Sequence, residues 1–137
     1  MKMGLRILFV EDDAIEAMKF RRVVSRFDLK FSITEAKDGE EALKILEVKD
    51  NLPDIVLLDL NMPKINGIEF LKILKKDEVL KYIPTIILTT SNNRRDILEC
   101  YKIGIAGYVL KPLKYEEYMY KLKSVLDYWN INELSRI

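Results

Sequence analysis

The sequence predicts an α/β fold, a doubly wound five-stranded parallel sheet in the order 2-1-3-4-5 with helices on both faces. Three observations carry that reading. Short apolar runs rich in β-branched residues alternate with longer stretches of helical period along the whole chain. Two of the runs, Ile55-Val56-Leu57-Leu58 and Ile86-Ile87-Leu88, are apolar without a break, as strands covered on both faces are. Alternating strand and helix units join by right-handed crossovers, which makes the sheet parallel.

Taken in order, the first strand is expected at 6–10, Arg6-Ile7-Leu8-Phe9-Val10, and it stops at the acids Glu11-Asp12-Asp13. A helix follows at 14–27 and a second strand at 31–35. The turn signal Asp38-Gly39 opens a helix at 40–48, with Ala42, Leu43 and Leu46 on one face. Pro53 precedes a third strand at 54–59, and Ile68, Leu71 and Leu74 form the stripe of a helix at 67–76. Pro84 introduces a fourth strand at 85–89, and Gly104 stands where the helix at 94–103 should stop. The fifth strand is expected at 107–111. The last helix, at 115–130, carries a core stripe of Tyr118, Leu122, Val125, Leu126 and Trp129. There is no internal repeat, low-complexity tract or linker. One domain is expected over 1–137, with a core at about 5–129 and a short tail at 130–137.

Composition narrows the function. A chain of 137 residues, 49% hydrophobic and 33% charged, is one globular domain's worth, able to bury roughly 70% of its unfolded surface. Lys+Arg 23 against Asp+Glu 22 leaves a net charge of +1, so no basic field points to nucleic acid. The absence of histidine removes Ser-His-Asp and Cys-His catalysis, His-ligated metals and a phosphohistidine carrier role. The single cysteine, Cys100, excludes an internal disulfide and a multi-cysteine zinc site. It reads as a small buried hydrophobe on a helix, with a reactive thiol as the alternative. The start Met1-Lys2-Met3-Gly4-Leu5-Arg6 is basic, but the four apolar residues that follow fall short of the roughly 7–15 of a secretory segment and the roughly 20 of a membrane span. The expected location is the cytoplasm, with no membrane partner.

In such a sheet, strands one and three meet at the topological switch point, and ligands bind beyond the carboxyl ends of the strands. The residues there are Glu11, Asp12 and Asp13 after the first strand, Asp59 after the third, Thr89-Thr90-Ser91 at the fourth, and Lys111-Pro112 at the fifth. Carboxylates about 5 Å apart repel by roughly 3 kcal/mol per pair at an effective dielectric near 20, so something must compensate. Lys111 supplies one positive charge, and a divalent cation would supply more. Hard oxygen ligands suit Mg²⁺ better than zinc or copper. A carboxylate beside such charges can attack phosphorus to give an acyl phosphate, with Lys111 and the Thr89 hydroxyl on the phosphoryl oxygens.

Each group also has a plainer reading. Asp12 or Asp13 serves as a helix cap, Asp59 as a loop carboxylate, Thr89 as a turn hydroxyl, and Lys111 as a solvated lysine. Mutually compatible groups at four separate strand ends outweigh those readings taken one by one.

The same residues carry a resemblance. The run Ile7-Leu8-Phe9-Val10-Glu11-Asp12-Asp13, then Val56-Leu57-Leu58-Asp59-Leu60-Asn61-Met62-Pro63 with Asn66-Gly67, resembles a response-regulator receiver domain. Ile86-Ile87-Leu88-Thr89-Thr90-Ser91 and Gly104-Ile105-Ala106-Gly107-Tyr108-Val109-Leu110-Lys111-Pro112 match the same family in order and spacing. The resemblance implies a flavodoxin-like receiver fold and a role for each position. Asp59 matches the phosphoacceptor. Glu11 and Asp12 match the acidic pair that holds Mg²⁺ together with Asp59, and Asn61 lends its backbone carbonyl. Thr89 matches the switch hydroxyl, Lys111 the phosphoryl-binding lysine, and Tyr108 the aromatic that changes rotamer. A cis bond before Pro112 is also implied. Thr90 is bulkier than the residue many receivers have there, which narrows access to Asp59, and Glu11 replaces the commoner Asp. Asn61 and Ser91 are weak bases, which leaves the phosphoryl lifetime open.

The stretch Leu80-Lys81-Tyr82-Ile83-Pro84 and the pair Tyr128-Trp129 resemble small stand-alone regulators, some of which serve phytochrome-type sensor kinases. The implied function is a signalling protein rather than an enzyme, promoting only its own phosphorylation and dephosphorylation. It would take a phosphoryl group from a sensor histidine kinase and then dock a downstream protein target or pass the group to a phosphotransfer protein. With few residues after the last helix, the output is expected in trans. Tyr115, Tyr120 and Tyr128 fall off the core stripe and, with Lys121 and Lys123, read either as helix covering or as a docking or homodimer face built from the fourth helix, fifth strand and fifth helix. Three rivals compete: a haloacid-dehalogenase-type phosphatase, which needs a second acid where Asn61 stands; an FMN carrier of the same sheet order, whose phosphate the acids would repel; and a divergent receiver that no longer takes phosphate.

Overall fold

In the computed structural model, which describes residues 4–28 and 30–136, strands and helices alternate along the chain. The first three residues of the basic start read above, residue 29 and the last residue of the tail, 137, lie outside the described residues. The strands are β1 (Leu5–Val10), β2 (Phe31–Ala36), β3 (Ile55–Leu58), β4 (Thr85–Thr89) and β5 (Gly107–Leu110). The helices are α1 (Ala14–Val24), α2 (Gly39–Leu46), α3 (Gly67–Lys76), α4 (Arg94–Ile103) and α5 (Tyr115–Asn130), with single 3₁₀ turns at Lys49–Asn51 and Leu80–Tyr82. The strands form one parallel sheet in the order β2-β1-β3-β4-β5, as expected.

Side-chain alternation divides the core into two layers. Leu5, Ile7 and Phe9 of β1 and Ile55 and Leu57 of β3 meet Phe20 and Val23 of α1 and Tyr118, Leu122 and Leu126 of α5. The Phe9 and Phe20 rings stack with centroids 3.8 Å apart. On the other face, Leu8, Val10, Val56 and Leu58 meet Ala42 and Leu46 of α2, Phe70, Leu71 and Leu74 of α3, and Cys100 of α4. Both faces being covered is why β3 and β4 carry no polar residue facing solvent. Cys100 is fully buried, and burial, with help from Asp96 and Glu99, pushes its thiol up to about 11; it is the inert hydrophobe of the first reading.

Element boundaries move by a few residues, each for a local reason. The first helix stops at Val24 rather than 27. The Ser25 hydroxyl donates to the Arg22 carbonyl (2.7 Å), and the N–H groups of Arg26 and Phe27 fall back to i−3 carbonyls, tightening the last turn. The second helix begins one residue early, at Gly39, because Asp38 accepts from the Glu41 N–H (2.8 Å) as its cap, and it ends at Leu46. The third strand is shorter than 54–59, since Asp54 and Asp59 flank it. Gly104 ends α4 at φ 126°, a conformation that favours glycine, with its N–H on the Cys100 carbonyl (3.0 Å).

The tail does more than trail from α5. Leu134 packs against the layer shared by α1 and α5, and Arg136 returns to the amino-terminal end of the sheet. There its guanidinium donates to both oxygens of the buried Asp54 (2.8 and 2.9 Å), which also accepts from the Arg6 N–H (2.8 Å). Burial opposes ionisation of Asp54, but these donors outweigh it and hold the carboxyl below its ordinary value.

Candidate functional site

The register of the sheet brings the strand ends level. Val10 pairs with both Ala36 and Leu58, Leu58 with Ile87, and Thr89 with Leu110. Ladder bonds run one residue further on each side. The Glu11 N–H donates to the Ala36 carbonyl (3.0 Å), the Asp59 N–H to Val10 (3.1 Å), and the Lys111 N–H to Thr89 (2.8 Å). Glu11, Asp59 and Lys111 are therefore held by sheet geometry rather than by mobile loops. Gly67 opens α3 hard against this edge: a Cβ there would lie 2.6 Å from the Asp59 carbonyl oxygen and from the Leu60 Cα.

Glu11, Asp12 and Asp59 each offer a carboxylate oxygen within 4.8 Å of the others; Glu11 and Asp59 are buried and Asp12 is exposed. Three carboxylates so close form a set of hard oxygen ligands of the kind a divalent cation takes. Asp13 points elsewhere and caps α1, accepting from the N–H groups of Ile15 (2.8 Å) and Glu16 (3.2 Å), so the capping reading holds for Asp13 and not for Asp12.

Lys111 is not the solvated lysine of the plain reading. Its side chain is 5% exposed, its ammonium makes a close ion pair with Glu11, and Glu16 lies 3.7 Å away. Burial opposes the charge on Lys111, but Glu11, Asp59 and Glu16 together keep the ammonium above its ordinary value. Burial also dominates at Glu11, pushing its carboxyl up to about 7 against the pull of Lys111, with the Asp59 charge adding to the rise. The two shifts act in opposite senses on one ion pair. A lysine facing three carboxylates stays charged, so the proton that this cluster takes up on acidification belongs to the carboxylate side.

Thr89 is fully buried at the end of β4, and its Oγ1 accepts from the Ser91 N–H (3.4 Å). Ser91 in turn donates to Asp96 of α4 (3.3 Å), while the Tyr108 hydroxyl donates to the Ser91 carbonyl (2.7 Å). Tyr108 and Thr89 thus meet on the same short loop. Asn61 and Thr90 are exposed at the rim. The cis bond expected before Pro112 is not found: all peptide bonds among the described residues are trans, the isomer favoured by about 0.5–1 kcal/mol before proline.

Comparison with known proteins decides the family. The family model "response regulator receiver domain" matches residues 7–123. The chain belongs to the response-regulator receiver family. A curated relative, the probable methanogenesis regulatory protein FilR2 of Methanothrix harundinacea, is 35% identical over 127 residues, covering 90% of this chain and 82% of that protein. The phosphorylated cyanobacterial phytochrome response regulator RcpA superposes with a TM-score of 0.90 at 28% identity, covering 97% of this chain and 99% of that one. The Mn²⁺-bound form of response regulator Rcp1, a protein of Synechocystis sp., superposes at 0.85 with 28% identity, covering 94% and 96%.

Receiver domains take phosphoryl groups from histidine kinases and signal to downstream targets. This receiver is a phosphorylatable response regulator with the five-stranded flavodoxin-like fold, and receiver domains of this type are signalling proteins. Its acidic cluster, two buried carboxylates and one exposed, fits a divalent metal. Among the described residues, no helix is long and apolar enough to cross a membrane.

The sequence reading missed one member of the cluster, Glu16. An acid three residues after a capping Asp looks like an ordinary first-turn residue. The signal was there nonetheless: a helix that starts just after a strand's terminal acids turns its first-turn side chain back over that strand end.

Proposed function

We propose that this receiver accepts a phosphoryl group on Asp59 from the phosphohistidine of a sensor kinase. The observation that carries the reading is the convergence of Glu11, Asp12 and Asp59 beside the buried Lys111 ammonium. An Asp59 carboxylate oxygen forms the new P–O bond as the P–N bond to the donor imidazole breaks, and the imidazole leaves with a proton. Lys111 pairs with one phosphoryl oxygen and the Thr89 hydroxyl donates to another.

Glu11, Asp12, Asp59 and the Asn61 backbone carbonyl would hold Mg²⁺, which supplies positive charge against the phosphoryl oxygens when bound. The absence of histidine in the chain itself fits a protein that receives rather than originates the group. The likeness to RcpA supports a phytochrome-type kinase as donor, and a donor charged from ATP supports a cytoplasmic location for the exchange. We read residues 1–137 as one receiver module with its core at about 5–129, promoting only its own phosphorylation and dephosphorylation.

The test is labelling by acetyl phosphate with and without a chelator. Rapid labelling in Mg²⁺ that falls at least about tenfold in excess chelator is expected, since the cluster's own charge then opposes the incoming phosphoryl group. No labelling under any condition would favour the divergent receiver.

Output is read through Thr89 and Tyr108. As Thr89 turns to the phosphoryl group, Tyr108 exchanges its Ser91 carbonyl for a new rotamer and reshapes the face of α4, β5 and α5. That face exposes Leu98, Tyr101, Leu110 and Tyr120, with Tyr128 further along α5. Tyr115 drops out of it: the side chain is half-buried against the α1 and α5 layer. The occupant is a downstream protein, a phosphotransfer protein or a second copy forming a two-fold dimer. Replacing Tyr120 and Tyr128 with Ser should leave labelling within about twofold and weaken association by about 1–2 kcal/mol. Unchanged association, measured by analytical ultracentrifugation and partner pull-down, would reduce these tyrosines to helix covering.

A further inference from the structure

The cluster around Lys111 holds one carboxylate for which the receiver reading has no use. Glu16 reaches back from the first turn of α1 until its Oε2 lies 3.7 Å from the Lys111 Nζ. That distance is too long for a hydrogen bond and well within the range where opposite charges attract. The same Oε2 is buried and has no hydrogen-bond partner among the described residues. From α5, the Tyr118 hydroxyl is also buried without one, and Lys19 lies over the Tyr118 ring at 5.0 Å. Of the carboxylates that Lys111 faces, Glu11 and Glu16 lie within ion-pair distance of its ammonium, and of these two only Glu11 belongs to the proposed cation-binding set.

We propose that Glu16 is a positioning residue that restrains Lys111 and so sets how readily the site accepts a phosphoryl group. The inference rests on Asp59 being the phosphoacceptor, and it adds a residue to that chemistry. A lysine ammonium is a compact charge on a flexible stem, so it moves toward whichever anions attract it most. In the unphosphorylated protein Glu16 shares that charge. Once a phosphoryl group sits on Asp59, Lys111 is drawn to it, and Glu16 is left with a buried oxygen lacking its counter-charge. Glu16 therefore favours the unphosphorylated state, and a group that interacts differently with two states shifts the balance between them. Because the contact is not a hydrogen bond, it biases Lys111 without locking it.

The experiment measures the affinity of beryllofluoride, a phosphoryl mimic, by fluorine NMR in excess Mg²⁺, together with the fraction labelled by acetyl phosphate. Glu16→Gln should bind beryllofluoride about five- to tenfold more tightly and label to a higher plateau, a tenfold change being about 1.4 kcal/mol. Glu16→Asp, which keeps the charge, should stay closer to wild type than to Glu16→Gln. Glu69→Gln removes an exposed first-turn acid of α3 that belongs neither to the Lys111 cluster nor to the Thr89, Ser91 and Tyr108 contacts, and should give less than about half the gain, on the same free-energy scale. Thermal unfolding of each variant confirms that the folded protein is being compared. Unchanged or weaker binding by Glu16→Gln overturns the proposal, and so does an equal gain from Glu69→Gln, which would make the effect one of general charge. Failure of the wild-type protein to label on Asp59 would sink the phosphoacceptor reading instead, so the two failures are distinguishable.

Discussion

Asp59→Asn should abolish labelling by a small phosphodonor while leaving a protein at least as stable as the original. The labelling half follows from chemistry: an amide oxygen is a poor nucleophile toward phosphorus, and the acyl phosphate needs the carboxylate. The stability half follows from the cluster. Asp59 is buried, and its carboxylate lies within 4.8 Å of those of Glu11 and Asp12. A charge pair about 5 Å apart contributes roughly 3 kcal/mol of gross repulsion at an effective dielectric near 20. Relaxation, solvent and the lost attraction to the Lys111 ammonium reduce the net effect, so a gain of no more than about 1 kcal/mol in metal-free buffer is expected. Urea denaturation and mass spectrometry of the labelled protein check both halves. A phosphoryl group on any other residue, or on the variant itself, would refute the assignment.

Lys111→Ala should lower labelling by about a hundredfold, the cost of removing one preorganised charge from a phosphoryl-binding site. It should also destabilise the fold more than a surface lysine would. The Lys111 side chain is 5% exposed and Glu11's is 2% exposed, so truncation strands a buried carboxylate. Breaking such a pair costs about 3–5 kcal/mol when the remaining charge must stay. Here Glu11 has a way out, because its carboxyl already sits up at about 7 and rises further without the ammonium. A raised folded-state value means that the cost of the charge is absent below the ordinary value of 4.5 and complete only above the folded value. The variant's deficit relative to wild type should therefore be largest at pH 8, shrink as the pH falls to about 6, and level off below that, where Glu11 is protonated in both folded proteins. Chemical denaturation at several pH values in chelator would show it. A deficit independent of pH, or labelling within twofold of wild type, would count against the buried pair.

Much of this protein was legible in its sequence because local patterns and global fold agree. The apolar runs of β3 and β4 have to be covered on both faces, which implies helices on each side and a parallel sheet. Strand order then puts Glu11, Asp12, Asp59, Thr89 and Lys111 at one edge, and chemically compatible groups at separate strand ends identify a site without coordinates. Chain direction was sufficient for that much, since which residue follows a strand is a one-dimensional fact.

Distances were a different matter. Whether Lys111 is solvated or buried depends on what gathers around it in three dimensions, and there Glu11 from the end of β1 and Glu16 from α1 flank a side chain only 5% exposed. The division of labour between Asp12 and Asp13 turns on one backbone cap, and Tyr115 is half-buried because of what α5 meets, not because of its own helical period. Asp54 and Arg136, far apart in sequence, form their ion pair only because the tail returns to the amino-terminal end of the sheet. Sequence alone determined which chemistry gathers at the carboxyl ends of the strands. Tertiary structure decided which of those charges leave water, and the removal of water is what turns neighbouring charges into strong partners or costly ones.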